Sequence, residues 1–351
     1  ILNIIDDEKP DGVIIAGDVY DRTMPSEDAV KLLDRFLTSL AKRKLQVYII
    51  SGNHDSAVKL SFASGLIDLS GIHIAPVYDG NVEPMRLEGS DGISANIYML
   101  PFVKPVTVKN IFKDEAEDIK DYTGACRVAI EHMDIDETTT NILVAHQFVA
   151  GATPSDSEEH TVGGLDNVNV SVFAPFDYVA LGHIHGPQKV GRETVRYSGT
   201  PLKYSLSEAK HHKSVTVIDI PENKKMELRT VELVPMRDLR EIKGTFAELT
   251  DKAYYEGTPV EDYIYVVLTD EEDIPDALGK LRVIYPNIMK LRYDNTRTRT
   301  DNIIEEGAVL EGKQPIDLFE ELYEKQNNKS MSPEQREFME ELINKVFKEE
   351  G

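Results

Sequence analysis

The chain has 351 residues and a formal charge of -23, from 62 acidic and 39 basic side chains. A field of that sign excludes a surface that binds nucleic acid all round, so any contact with DNA needs metals, local basic patches or a partner. Cys126 is the one cysteine, which excludes an intrachain disulfide and fits a reducing, cytoplasmic setting, and no apolar run approaches the length of a membrane span.

Taken in chain order, Ile1 to Ile5 reads as the tail of a helix, and Gly12 to Ala16 as an apolar strand buried on both faces. Ser26 to Leu40 has helical spacing, with Ser26 as its cap and an inner face of Val30, Leu33, Phe36, Leu37 and Leu40. Val47 to Ile50 is the next strand, so the three segments form a strand, crossover helix, strand unit with a parallel pair. A short helix over Leu60 to Leu69 follows, then strands at Ile72 to Ala75, Met85 to Leu87 and Ile97 to Leu100. Asn110 to Tyr122 and Ala125 to Met133 read as helices, and Asn141 to Ala145 and Tyr178 to Leu181 as buried strands. Between those strands, residues 151 to 169 carry the Gly, Ser, Asp and Glu of an exposed loop. Val195 to Tyr197, Ser214 to Ile220 and Glu227 to Leu233 suggest antiparallel strands, with a turn at Pro221-Glu222-Asn223-Lys224.

Composition changes after Pro235, and the expected organisation is a main domain over 1–235, a small α/β domain over 236–310 and C-terminal helices over 311–351. Within the small domain, Tyr263 to Leu268 and Ile288 to Tyr293 read as strands around a helix at Ile274 to Ile284, and Arg292, Arg297 and Arg299 give a modest basic edge. A polar stretch from Gly307 to Gln314 leads into helices at Ile316 to Lys325 and Pro333 to Lys348, the second capped by Ser332. Its apolar stripe of Phe338, Leu342, Ile343, Val346 and Phe347 needs a groove, on its own body or on a partner.

Four polar clusters each follow an apolar strand: Gly17-Asp18-Val19-Tyr20-Asp21, Gly52-Asn53-His54-Asp55, Ala145-His146-Gln147 and Gly182-His183-Ile184-His185. Ligand sites of open α/β sheets lie beyond the carboxyl ends of strands, and these clusters have that placement. A carboxylate at Asp18 can bridge two cations about 3.5–4 Å apart. With the amide oxygen of Asn53 and the imidazoles of His146, His183 and His185, the donor set is mixed nitrogen and oxygen, which favours Mn, Fe or Zn over Mg or Ca. His54 adjoins Asn53 on the other side of an extended backbone, where it can orient a phosphate or protonate a departing oxygen. Asp55 is placed to fix His54 or the loop, or to cap a turn, and Asp21 is open to similar readings. His211-His212-Lys213 reads as solvated surface, with a phosphate-facing role as the other option.

In this order the motifs GDxxD, GNHD, AH and GHxH resemble those of the calcineurin-like metallophosphoesterases. Gly163-Gly164 and the segment Tyr197-Ser198-Gly199-Thr200-Pro201-Leu202-Lys203-Tyr204-Ser205 are similar to the SbcD/Mre11-type nuclease subunits within them. The resemblance implies an α/β sandwich of two mixed β-sheets flanked by helices, with a small capping domain and C-terminal helices. It implies two divalent metals, Mn2+ foremost, with Asp18 bridging, Asn53, His146 and His183 on one ion, His185 on the other, and His54 as the catalytic histidine. It also implies hydrolysis of DNA ends and hairpins, an SbcC-type (Rad50-like) ATPase bound through the C-terminal helices, DNA contacts from the capping domain and a homodimer formed through helices near the expected upstream segment and residues 60 to 70. The family's Asp-x-His, which belongs before Asp18, is absent from this sequence, so an upstream strand is expected. A metallophosphatase of the same chemistry, or a scaffold that docks a partner through its last helix, are the alternatives.

Overall fold

The computed structural model describes residues 1–62, 64–158, 166–222, 225–299, 315–327 and 329–349. The chain divides into two compact units, Ile1–Met236 and Arg237–Gly351.

The first unit opens with helix α1 (Leu2–Glu8) and strand β1 (Gly12–Ala16), followed by α2 (Glu27–Lys42) and β2 (Gln46–Ile50). Ser26 caps α2 by accepting the Ala29 N–H, with Glu27 and Asp28 in the first turn where the helix dipole favours anions. Two short helices, α3 (Ala57–Leu60) and α4 (Ser64–Asp68), replace the single helix expected there and lead to β3 (Ile72–Ala75). Strands β1, β2 and β3 form one parallel sheet in that order. Among the described residues β1 pairs only with β2, and all five of its residues are half-buried rather than buried on both faces as its apolar run suggested. Val30 is likewise 45 % exposed, because α2 packs on the sheet through its second half, at Phe36, Leu37 and Leu40.

Strands β4 (Met85–Glu88) and β5 (Ser94–Leu100) precede α5 (Pro105–Ile111) and α6 (Tyr122–Glu131). The sequence between Asn110 and Tyr122 is thus no continuous helix: it holds the end of α5, a 3-10 turn at Lys113–Glu115, and the Asp121 side chain that caps α6. After β6 (Thr140–His146), β7 (Tyr178–Gly182), β8 (Gln188–Val190) and β9 (Arg192–Tyr197), the six strands align as β4-β5-β6-β7-β9-β8, with β4 and β8 antiparallel to their neighbours and the rest parallel. β10 (Ser214–Asp219) and β11 (Glu227–Glu232) form a separate antiparallel ladder.

Tyr48 and Ile50 of β2 share one core with Ile97, Ile142, Val144 and Tyr178 of the six-stranded sheet, and Ile14, Ala16, Ile218 and Leu228 pack against it. A second core joins the other face of that sheet to α5 and α6 through Leu143, Val179, Val108, Val128 and Ala129. A third joins the outer face of the β1–β3 sheet to α1 and α2. The result is a sandwich of mixed sheets flanked by helices, and this layering covers both faces of the inner parallel strands β2, β6 and β7. Residues 151–158 and 166–169 are not a simple surface loop: Ser155, Glu158 and Val168 are buried.

The second unit pairs β12 (Leu239–Gly244), β13 (Tyr263–Leu268) and β14 (Ile288–Tyr293) in a parallel sheet. Short helices α7 (Phe246–Thr250), α8 (Lys252–Tyr255) and α9 (Ala277–Arg282) accompany it, with a core around Leu249, Val266, Leu281 and Tyr285. Helices α10 (Pro315–Asn327) and α11 (Pro333–Glu349) follow and are joined by ion pairs of Arg336 with Glu320 and Asp317. Phe338 and Leu342 are exposed and Ile343 is half-buried, while the side chains of Val346 and Phe347 lie outside the described part. Gly163-Gly164, Asn223, Lys224 and the stretch from Gly307 to Gln314 also lie outside the described residues.

Candidate metal centre

β1 and β2 run parallel, as do β6 and β7, so their carboxyl ends present the four motif loops. His146 is the last residue of β6 and pairs with Gly182, the last of β7. Gly182 is required by the closeness of the two sheets: a Cβ there would enter the carbonyl oxygen of Ala16 and crowd the His146 ring. Gly52 is required for a similar reason, since its Cβ would strike the Asp18 carboxylate and backbone nitrogen. Asp18 and His183 sit at φ 45° and 101°, in the left-handed region that non-glycine residues seldom occupy. Such conformations persist where the surroundings over-determine them, and both residues aim a side chain into the same space.

The Nδ1–H of His146 donates to the Ala16 carbonyl at 2.8 Å, which turns Nε2 inward. That nitrogen lies 3.0 Å from Asn53 Oδ1 and 3.1 Å from Asp18 Oδ2, and His183 Nδ1 lies 3.0 Å from the same Asn53 oxygen. The ligand atoms of Asp18, His146 and His183 are all within 4.8 Å of one another. With its Nδ1–H committed to Ala16, His146 turns Nε2 toward those two oxygens, where a proton bridges them or, once it leaves, a lone pair stands open to a cation. A divalent cation at the centre turns these contacts into bonds, so the donor set fits a metal.

The electrostatics favour the forms that bind metal. Burial raises the Asp18 carboxyl pKa, but hydrogen bonding and charge from His146, together with the His54 backbone N–H at 3.0 Å, outweigh it and hold the group below the ordinary range. Burial, reinforced by the charge of His146, pushes His183 down to about 4, so an arriving cation displaces no proton from it near neutral pH.

Asp55 fixes the loops rather than His54. It is buried and accepts from the backbone N–H groups of Gly52, Val19 and Tyr20 at 2.9, 3.1 and 3.0 Å, tying the second motif to the first. Asp55→Ala leaves three backbone donors without their acceptor, and unpaired donors of this kind cost about 1–3 kcal/mol each when they stay dry. We expect a loss of about 2–4 kcal/mol in the urea unfolding of metal-free protein, and an unchanged midpoint would refute the latch. Asp21, by contrast, is exposed and paired with Arg22.

His54 is half-buried beside the centre, and the charge of its ring acts on both Asp18 and His183. His185 stands apart from the Asp18–His146–His183 cluster, in a network that sequence reading missed. Its Nδ1 is 2.7 Å from Ser157 Oγ and 3.6 Å from Glu208 Oε1, and its N–H donates to Glu158 Oε1 at 2.5 Å. Glu208 is fully buried and paired with Lys213 at 2.5 Å. Burial raises its pKa, but the His185 ring 3.6 Å away and hydrogen bonds from Lys213 and Ser157 reverse that and hold it far below the usual carboxylate range. Lys213 is thus buried, against the solvated reading of His211-His212-Lys213, while His212 alone of the three is open to solvent. One signal was available: Ser205 and Glu208 have S-x-x-E spacing and form a capping box.

In the second unit, Arg292, Arg297 and Arg299 are exposed, but each meets a carboxylate: Glu241 at 3.3 Å, Asp273 at 2.6 Å and Asp294 at 2.8 Å.

Comparison with known proteins extends along most of the chain. Residues 1–187 match the family model described as calcineurin-like phosphoesterase, and residues 235–327 match one described as type 5 capsule protein repressor C-terminal domain. A protein of Staphylococcus epidermidis (strain ATCC 12228 / FDA PCI 1200), named as the SbcD component of the nuclease SbcCD, is 31% identical over 353 residues, covering 98% of this chain and 90% of that protein.

Proposed function

The chain belongs to the calcineurin-like phosphoesterases, in their SbcD/Mre11-type branch, and from that premise we propose that it is a metal-dependent nuclease hydrolysing DNA phosphodiesters at ends and hairpins. The observation that carries this reading is the convergence of Asp18, Asn53, His146 and His183 donors at adjacent strand ends. Divalent cations held there supply positive charge that offsets the charge developing on a phosphoryl group and make a nearby water more acidic. On this reading two divalent ions, Mn2+ foremost, would be held by Asp18, Asn53, His146 and His183, with Asp18 shared and His185 as donor to the second, and His54 would protonate the departing oxygen.

A substrate panel in Mn2+ tests it: blunt duplex ends and hairpins against nucleoside monophosphates, cyclic nucleotides and phosphopeptides. Cleavage of the DNA substrates is expected, and turnover confined to small phosphoesters would instead support the phosphatase reading.

The domain reading remains 1–235 for catalysis, 236–310 for capping and 311–351 for partner binding. A partner of the SbcC type suits the exposed Phe338 and Leu342 on α11. Arg292, Arg297 and Arg299 are proposed DNA contacts; their ion pairs are at the surface, where such pairs contribute about 0–1 kcal/mol, so a phosphate can displace the carboxylates. The proposed homodimer uses the apolar residues Val58, Phe62, Leu66 and Leu69, which are 73–85% exposed on and beside α3 and α4. Light scattering should give twice the chain mass, and Phe62→Asp with Leu66→Asp should give the single mass. A wild-type monomer at micromolar concentration would refute the dimer.

A further inference from the structure

His185 is held at nearly every polar atom. Its N–H donates to Glu158 at 2.5 Å, and its carbonyl accepts from Lys213 Nζ at 2.8 Å and from the Thr200 N–H at 3.1 Å. Its Nδ1 meets Ser157 Oγ at 2.7 Å, and among the described residues only Nε2 lacks a hydrogen-bond partner. Tyr204 packs edge-on against the ring at 5.8 Å between centroids.

The proton order behind the ring follows from donor counting. Glu208 Oε1 accepts from Ser157 Oγ at 2.6 Å and, at 3.1 Å each, from the Tyr204 N–H, the Ser205 N–H and Ser205 Oγ. Its Oε2 accepts from Lys213, whose remaining protons go to the His185 carbonyl and, at 2.8 Å, to Thr200 Oγ1. A carboxylate so surrounded by donors accepts the single hydroxyl proton of Ser157, and that short charge-assisted bond outcompetes the other hydroxyl in reach, Ser155 at 3.0 Å. Ser155 in turn donates to Glu158 Oε2 at 2.5 Å. Ser157 Oγ is left as an acceptor toward His185, so the ring proton sits on Nδ1 and the lone pair on Nε2.

We infer that Ser157 and Glu208, braced by Lys213, are positioning residues that fix the His185 tautomer and present its bare Nε2 to a metal before the ion arrives. This rests on the reading of His185 as a donor to the second ion. Ala16 does the equivalent for His146, through its carbonyl. Outer groups of this kind set both the tautomer and the basicity of a ligating imidazole.

The test uses the full chain, labelled with nitrogen isotope at histidine and stripped of metal. Nitrogen chemical shifts near neutral pH should report the Nδ1–H tautomer for His185. Ser157→Ala retains the Glu208–Lys213 pair and should move His185 to the Nε2–H or a mixed tautomer while His146 keeps its shifts; Ser157→Thr should restore the wild-type pattern. Calorimetric titration with Mn2+ alone should show the second equivalent bound roughly 10- to 100-fold more weakly in Ser157→Ala. An Nε2–H tautomer in the wild type, or a Ser157→Ala protein with unchanged tautomer and Mn2+ binding, would overturn the inference. Absence of DNA cleavage by a wild-type protein with the expected tautomer would instead refute the nuclease reading and leave this one standing.

Discussion

Asp18→Ala is expected to lose its bound divalent metal and to cut DNA about 1,000-fold more slowly or worse. The carboxylate supplies the only full negative charge among the convergent donors Asp18, Asn53, His146 and His183, and it contacts His146 Nε2 at 3.1 Å. Metal charge at a phosphoryl centre supplies several kcal/mol of transition-state stabilisation, and each 1.36 kcal/mol is about tenfold in rate. The substitution also removes the acceptor for the His54 N–H, so part of the loss could come from a displaced loop. Asp18→Asn separates the two effects, because an amide oxygen still accepts that N–H but carries no charge. Metal analysis and hydrolysis should fall in both variants. Unchanged stoichiometry in Asp18→Asn would show that the carboxylate does not hold the ion.

His54→Ala should behave in the opposite way toward the metal. The imidazole is not among the atoms that converge on the centre, so metal content should match the wild type. Hydrolysis should fall by about 10²–10⁴-fold, the range for loss of a positioned general acid, or about 3–5 kcal/mol in the barrier. A substrate whose leaving group needs no proton, such as a nitrophenyl phosphodiester, should recover much of that loss. Near-wild-type cleavage of DNA by His54→Ala, with metal in place, would remove the histidine from the mechanism.

The strand-end clusters were legible because a polar motif after a short apolar run has few structural explanations. Asp18, Asn53, His146 and His183 are all recoverable in that way, and so are most of the strands that carry them. What the sequence did not reveal depends on contacts between distant segments. The apolar run of β1 does not announce how deeply it is buried; all five of its residues are half-buried, which only packing decides. Val30 fits a helical stripe but lies beyond the sheet that α2 covers. Glu208 and Lys213 form a buried pair that no periodicity announces, and Ser157 stands in a segment whose composition suggested solvent. Asp55 was ambiguous because its three donors come from two loops that are more than thirty residues apart in sequence. The resemblance named a role for His185, yet only the folded structure reveals how tightly its ring and backbone are held.

The most direct measurement is an anomalous difference map at the manganese absorption edge, from crystals of the full chain equilibrated with Mn2+. A peak is expected about 2.0–2.4 Å from Asp18 Oδ2, Asn53 Oδ1, His146 Nε2 and His183 Nδ1 together. A map without density there, or with its strongest peak bound elsewhere, would contradict the metal centre and the hydrolytic chemistry built on it.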